Sequence, residues 1–176
     1  MTRALAPAPS ADDRLERAWA ALRDVPDPEV PVISVVELGI VRDVAIDGDA
    51  VTVTVTPTYS GCPAMREIEH DIVTALGAHG FAGARVRTAF APAWTTDWIS
   101  DEGREKLRRY GIAPPGRRSA DADAELVPLT RRVARVECPF CGSPKTSMRS
   151  DFGSTACKAL MYCDACRQPF ELFKAI

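Results

Sequence analysis

Val51-Thr52-Val53-Thr54-Val55-Thr56-Pro57-Thr58-Tyr59-Ser60-Gly61-Cys62-Pro63 decides what the longer part of this chain builds. Strict alternation over 51–56 is the period of a β-strand with one face buried and the other wet. Asp47-Gly48-Asp49 just upstream reads as a tight turn, so Leu38–Ile46 is the partner strand of a hairpin. Downstream, Pro63 suits the first turn of a helix, and Met65, Ile68, Ile72 and Leu76 form its apolar stripe. Gly80 and Gly83 punctuate its exit into a third strand over 84–90, a loop over 92–98 and a short helix over 101–110 that stops at Gly111. Upstream of the hairpin, Ser10 caps a helix whose face is Leu15, Ala18, Trp19 and Leu22. Pro26, Pro28 and Pro31 force the segment after it into an extended loop. The order predicts an α+β fold, a small helix–hairpin–helix–strand–helix sandwich over 11–112 with helices on one sheet face. Residues 1–10 read as a tail. Residues 113–130, with Pro114-Pro115-Gly116 and paired arginines, read as a linker.

The remaining segment, 131–176, has its own logic. Cys138-Pro139-Phe140-Cys141-Gly142 and Cys163-Asp164-Ala165-Cys166 are two knuckles separated by 21 residues. Two residues between thiolates let one tight turn aim both sulfurs at a single point, and Gly142 supplies the left-handed backbone such a turn needs. Val133, Val136, Leu160, Tyr162, Phe170 and Phe173 are the apolar residues expected to build strands around that point. A module this small is not stable on its core alone, so a metal ion should supply much of its folding energy. The expectation is a separate β-rich ribbon holding zinc through Cys138, Cys141, Cys163 and Cys166. Four thiolates leave no open coordination position, which makes the site structural. Iron satisfies the same spacing.

The charge of −2 hides an asymmetry that fits two units: residues 1–112 hold 12 basic and 17 acidic side chains, and residues 131–176 hold 8 and 4. The basic groups of the second unit are dispersed among Arg131, Arg132, Lys145, Arg149, Lys158 and Arg167, a pattern that argues against a nucleic-acid partner. No apolar run reaches the length of a membrane span, and the first residues lack the layout of a signal peptide, so a cytoplasmic protein is expected. Six thiols in that compartment point to metal ligands or reactive groups ahead of disulfides. Phosphate loop, dinucleotide fingerprint, nucleophile elbow and HExxH are all missing, and the expectation is a protein that is not an enzyme.

Two thiols fall outside the knuckles. Cys62 stands at a helix start, where the helix dipole should lower its pKa and favour a nucleophile or ligand; a small buried hydrophobe is the other reading. Cys157 is read first as packing, with an alternative ligand or a transfer thiol as the other roles. Asp27 and Glu29 form a carboxylate pair in the proline-rich loop, explained at this level by turn formation or solvation. His70 and His79 have no partner at ligand spacing. Trp94 and Trp98 are expected as core anchors, with a partner surface as the sharper reading.

Three stretches together, Asp24-Val25-Pro26-Asp27-Pro28-Glu29-Val30-Pro31, Glu37-Leu38-Gly39-Ile40-Val41 and Thr56-Pro57-Thr58-Tyr59-Ser60-Gly61-Cys62-Pro63, resemble the SufT-like metal–sulfur cluster assembly domain. With Phe152-Gly153-Ser154-Thr155-Ala156-Cys157-Lys158-Ala159-Leu160 and the second knuckle, the chain as a whole is similar to the D-subunit family of phenylacetyl-CoA oxygenase gene clusters. The resemblance implies an accessory protein of aerobic phenylacetate breakdown that helps to mature a metal cofactor, an iron–sulfur cluster or the di-iron centre. A structural subunit of the oxygenase is the alternative. It implies Cys62 as the iron or iron–sulfur ligand, with Asp27, Glu29 and Thr58 shaping the loop around it. Clients would be the epoxidase or its iron–sulfur reductase subunit. One thiol cannot hold a cluster, so a homodimer, a partner's ligand or Cys157 must supply the rest.

Overall fold

The computed structural model describes residues 10–48, 50–116 and 136–174. The expected tail and most of the expected linker, together with Val133, lie outside those residues. Helix α1 (Ala11–Arg23) begins at the Ser10 cap, where Ser10 and Asp13 each bond the other's backbone, and it buries Ala18, Ala21 and Leu22. Strands β1 (Val41–Asp47) and β2 (Ala50–Val55) form the antiparallel hairpin. Helix α2 (Met65–Ala78) then crosses to β3 (Arg85–Thr88), which pairs with β2 in parallel, giving the order β1-β2-β3. Helix α3 (Asp101–Arg109), capped by Ser100, ends at Gly111 with φ +90°. Three helices and a sheet of this order bear out the α+β class.

Three local expectations shift. The first strand does not begin at Leu38, because Leu38 and Gly39 belong to a turn and Gly39 adopts φ +75°. A Cβ on Gly39 would sit 2.7 Å from the backbone oxygen of Trp98, so only glycine allows that approach. The threonine face of β2 is not wet: Thr54 and Thr56 are buried, and Arg87 donates to Thr54 Oγ1. Pro63 precedes α2 rather than entering its first turn, since Ala64 is the N-cap.

The proline-rich loop and the turn after it, over 24–40, feed the core, burying Val25, Val30, Ile33, Val35, Leu38 and Ile40. Its backbone folds back on itself, with Asp27 N–H donating to Ile33 O and Val35 N–H to Val25 O. Asp27 shapes the bend, Oδ1 accepting from the N–H groups of Glu29 (3.0 Å) and Val30 (2.8 Å). Lys106 of α3 reaches back to Glu37 at 2.6 Å, which ties α3 to the same loop.

A second sheet is ordered β4-β7-β6-β5, from β4 (Ile112–Ala113), β5 (Thr146–Ser150), β6 (Lys158–Cys163) and β7 (Pro169–Phe173). Strand β4 comes from the end of the first unit and pairs in parallel with Glu171 and Leu172. Ala113, read from the sequence as the first linker residue, is therefore a buried strand residue of the ribbon sheet. Inside the ribbon the core is Ala113, Cys138, Met161, Cys163 and Phe170, with Val136, Met148, Cys166 and Leu172 against it. Leu160 and Tyr162 lie on a strand beside the cysteines as expected, but they have the opposite parity to Cys163 on β6 and stay outside the ribbon core, Leu160 37% exposed. Phe173 leaves the ribbon core altogether. Its ring packs against Trp94, centroids 6.0 Å apart, in the core of the first unit.

Candidate metal centre and thiol–carboxylate seam

The four knuckle cysteines meet. Their sulfurs all lie within 4.8 Å of one another, with Cys138 Sγ–Cys166 Sγ at 3.7 Å and Cys141 Sγ–Cys163 Sγ at 3.6 Å. A tetrahedral ion with metal–sulfur bonds of ~2.3 Å sets its ligands ~3.8 Å apart, so the donor set and its spacing fit a four-thiolate zinc. Each knuckle is locked by its own backbone. Gly142 N–H returns to Cys138 O at 2.8 Å, and Arg167 N–H to Cys163 O at 2.9 Å. Both residues have positive φ, +71° at Gly142 and +59° at Arg167. The second turn thus repeats the first with an arginine where sequence reasoning would look for glycine. The knuckles are tied to each other where Asp164 N–H donates to Lys145 O at 2.9 Å.

Without a cation, four thiols sharing one point ionise unequally. The Cys163 thiol falls to about 7, first because the N–H of Cys166 points at its sulfur, while that of Cys166 is pushed up to about 12 by burial and by the neighbouring sulfurs. A divalent ion would remove that conflict by charge neutralisation and release the protons.

The other two cysteines lie at the seam between the sheets. Cys157, immediately before β6, is buried, and its Sγ stands 3.6 Å from Glu29 Oε2, a residue 128 positions away. Thr155 Oγ1 is 3.0 Å from the same sulfur. Beside it Lys158, also buried, pairs with Glu171 Oε2 at 3.1 Å. Cys62, half-buried, packs against the same core that contains Cys157. Glu29 lies within electrostatic range of both thiols, and Tyr59 senses Cys62, Glu29 and Cys157 together. Thr58 is buried and lines an adjoining cleft of about 270 Å³ with Tyr59, Ser60, Phe90 and Trp94. Cys157 therefore meets Glu29 directly, a contact that spacing could not reveal, and Cys62 and Tyr59 lie within electrostatic range of Glu29.

The helix start does not lower the Cys62 pKa as expected. Burial raises it, the Glu29 and Asp27 carboxylates add to the rise, and the N–H groups of Ala64 and Met65 offset only part. With the ribbon zinc in place and no other metal added, iodoacetamide should accordingly alkylate Cys62 slowly near pH 7, with a rate that climbs past the ordinary thiol range. Glu29→Gln should accelerate that reaction, and peptide mapping with mass spectrometry measures both. Labelling at neutral pH as fast as a free thiolate would restore the dipole reading. Cys157, its thiol pushed up to about 11 mainly by burial, should stay unlabelled in the same experiment.

Asp27 carries a stability prediction. Burial lifts its carboxyl above the usual range, and the N–H groups of Val30 and Glu29 oppose this in part. A raised native pKa means that the folded state holds the proton more tightly, so stability falls as pH rises from the usual carboxylate value toward the raised one. Asp27→Asn keeps an acceptor oxygen and should erase that slope. Asp27→Ala leaves two N–H groups without their acceptor and should cost about 1–3 kcal/mol by urea titration.

His70 and His79 are exposed, and His79 Nδ1 contacts its own helix at Ala75 O, 2.8 Å away. Trp94 is an anchor, Nε1 donating to Leu38 O at 3.1 Å. The guanidinium of Arg42 lies over the Trp98 ring, 3.4 Å from its centroid. No described helix is long and apolar enough to cross a membrane.

An α+β unit presenting one loop cysteine is joined to a ribbon in which four cysteines converge. Residues 15–88 match the family model described as iron–sulfur cluster assembly protein, and residues 122–174 match the PaaD zinc beta ribbon domain. The chain belongs to the PaaD family. It is 45% identical over 94% of its length, and 96% of the relative's, to the D-subunit of the Escherichia coli K12 "Putative 1,2-phenylacetyl-CoA epoxidase". It is 38% identical, over 49% of its length and 83% of the relative's, to a Porphyromonas gingivalis protein named Fe-S protein maturation auxiliary factor. A Bacillus subtilis protein of the same description, YitW, is 37% identical over 48% of this chain and 84% of its own. Among solved structures, a domain of unknown function (DUF59) from Bacillus anthracis superposes with a TM-score of 0.51 at 27% identity, covering 55% of this chain and 92% of that one. The relatives support an accessory role in iron–sulfur assembly or maturation.

Proposed function

We propose that this protein is a non-catalytic maturation factor for the phenylacetyl-CoA epoxidase system, with iron or an iron–sulfur cluster as the cargo of Cys62. The observation that carries the reading is a half-buried loop thiol within electrostatic range of two carboxylates and outside the four-sulfur cage. The division of labour follows from coordination chemistry. Four sulfurs around one zinc leave no position for exchange, so Cys138, Cys141, Cys163 and Cys166 stabilise the ribbon and hold its client-facing surface in shape. A thiol with few fixed partners can bind a metal and give it up again. Clients are proteins, the epoxidase or its iron–sulfur reductase subunit.

The test is complementation. A strain lacking its own copy receives wild type or Cys62→Ser, and epoxidase activity is read together with iron and sulfide in the purified client. Loss of activity with an under-loaded client is expected. Full activity with a normally loaded client overturns the reading. The name of the Escherichia coli relative favours a second reading, a structural subunit that stays in the complex. Stoichiometric co-purification with active epoxidase, unaffected by Cys62→Ser, would support it.

A further inference from the structure

We infer that Cys157 of the ribbon and Cys62 of the assembly domain are the two sulfur ligands of one exchangeable iron site, closed by the carboxylate of Glu29 and formed only when the ribbon is docked. The inference rests on the reading of Cys62 given above and adds what one thiol cannot supply.

Cys157 lies in the apolar core, but its sulfur is not surrounded by apolar groups alone. A thiol retained for packing sits among apolar groups. This one is buried, yet its sulfur meets a carboxylate oxygen at 3.6 Å and a hydroxyl at 3.0 Å, and beside it the buried Lys158 pairs with the partly exposed Glu171. The carboxylate comes from the other sheet's loop. That loop is held in place from behind, because buried Asp27 accepts the N–H groups of Glu29 and Val30 and so sets where Glu29 can point. Glu29 also lies within electrostatic range of Cys62, which packs against the same continuous core as Cys157. The ribbon is anchored at this seam by Phe173 on Trp94 and by β4 beside β7.

Two thiolates and one carboxylate are a mixed donor set suited to divalent first-row metals, iron among them. Binding one Fe(II) would release the two sulfur protons to solvent, with no change in oxidation state. Three protein ligands leave a position open, which a client's side chain can occupy during transfer. The four-thiolate cage has none. Among the described residues the cage is the group whose ligand atoms already cluster within 4.8 Å, so the seam site is looser and closes as Glu29 and Cys62, both partly exposed, turn onto the ion. Loose preorganisation suits release.

Cobalt(II) titration of the full-length, zinc-loaded protein under anaerobic conditions tests the site. Zinc content is measured before and after to confirm an intact ribbon. Wild type should take up cobalt beyond the zinc, with sulfur-to-cobalt charge-transfer absorption. Cys62→Ser and Cys157→Ser should each remove about half of that intensity, one thiolate apiece. Glu29→Gln, at a partly exposed position that should not disturb folding, should keep the intensity but weaken the affinity. Absorption lost on Cys62→Ser and untouched by Cys157→Ser overturns this inference and leaves the Cys62 carrier standing. The absence of any extra thiolate-bound cobalt overturns both.

Discussion

Removing the ribbon's ion with a strong chelator is expected to unfold β5, β6 and both knuckles while α1, α2 and the first sheet keep their structure. Apart from its sulfurs, the ribbon core consists of Ala113, Met161 and Phe170 with a few partly buried neighbours, too little to offset the chain entropy of about forty residues. Zinc binding in such modules is worth on the order of 10 kcal/mol at neutral pH, most of it folding free energy. Amide exchange should therefore show Ala159–Cys163 losing protection on chelation and regaining it when zinc is returned. Cys163→Ser should produce the same state permanently, with zinc below one per chain. Affinity should fall as the solution is acidified, because every sulfur must lose its proton to bind. A ribbon that keeps its exchange protection after the metal has been removed would contradict the assignment.

The second large effect is expected from Phe173→Ala. Phe173 is 1% exposed and lies against Trp94 in the core of the assembly domain, although it belongs to the ribbon's last strand. Deleting a buried phenyl ring leaves a cavity at a junction that cannot easily collapse, at about 3–5 kcal/mol. For a chain of this size that is a drop in melting temperature of roughly 10 °C. The effect should appear in both parts at once, since the same ring closes the core and holds the ribbon against it. Trp94 fluorescence should shift to longer wavelength as water reaches the seam. A variant within about 1 kcal/mol of wild type would mean that the ribbon is merely tethered.

Much of this was legible from local chemistry. Period-2 alternation located β2, an apolar stripe located α2, a serine before an acidic first turn located α1, and a terminal glycine located the end of α3. The spacing of Cys138, Cys141, Cys163 and Cys166 identified the cage, because two-residue loops between thiolates have little other use. The less legible features depend on contacts far apart in sequence. The segment over 24–31 reads only as an extended loop, since its prolines exclude helix, yet Val25 and Val30 between them are buried in the core. Leu160 reads as an apolar strand residue beside the cage, but its parity, opposite to that of Cys163, turns it outward. The Cys62 thiol reads as activated by its helix, yet burial and two carboxylates outweigh two backbone N–H groups.

Residues that are neighbours along the chain were enough to specify an α+β unit, a four-sulfur ribbon and one cysteine at the start of a helix. Over such short distances, backbone geometry and coordination rules leave few options. Docking of the ribbon, the entry of β4 into its sheet and the meeting of Cys157 with Glu29 emerged only from long-range packing. Burial of apolar surface is non-directional, so residue types announce that Phe173 and Cys157 will be covered but not which surface covers them.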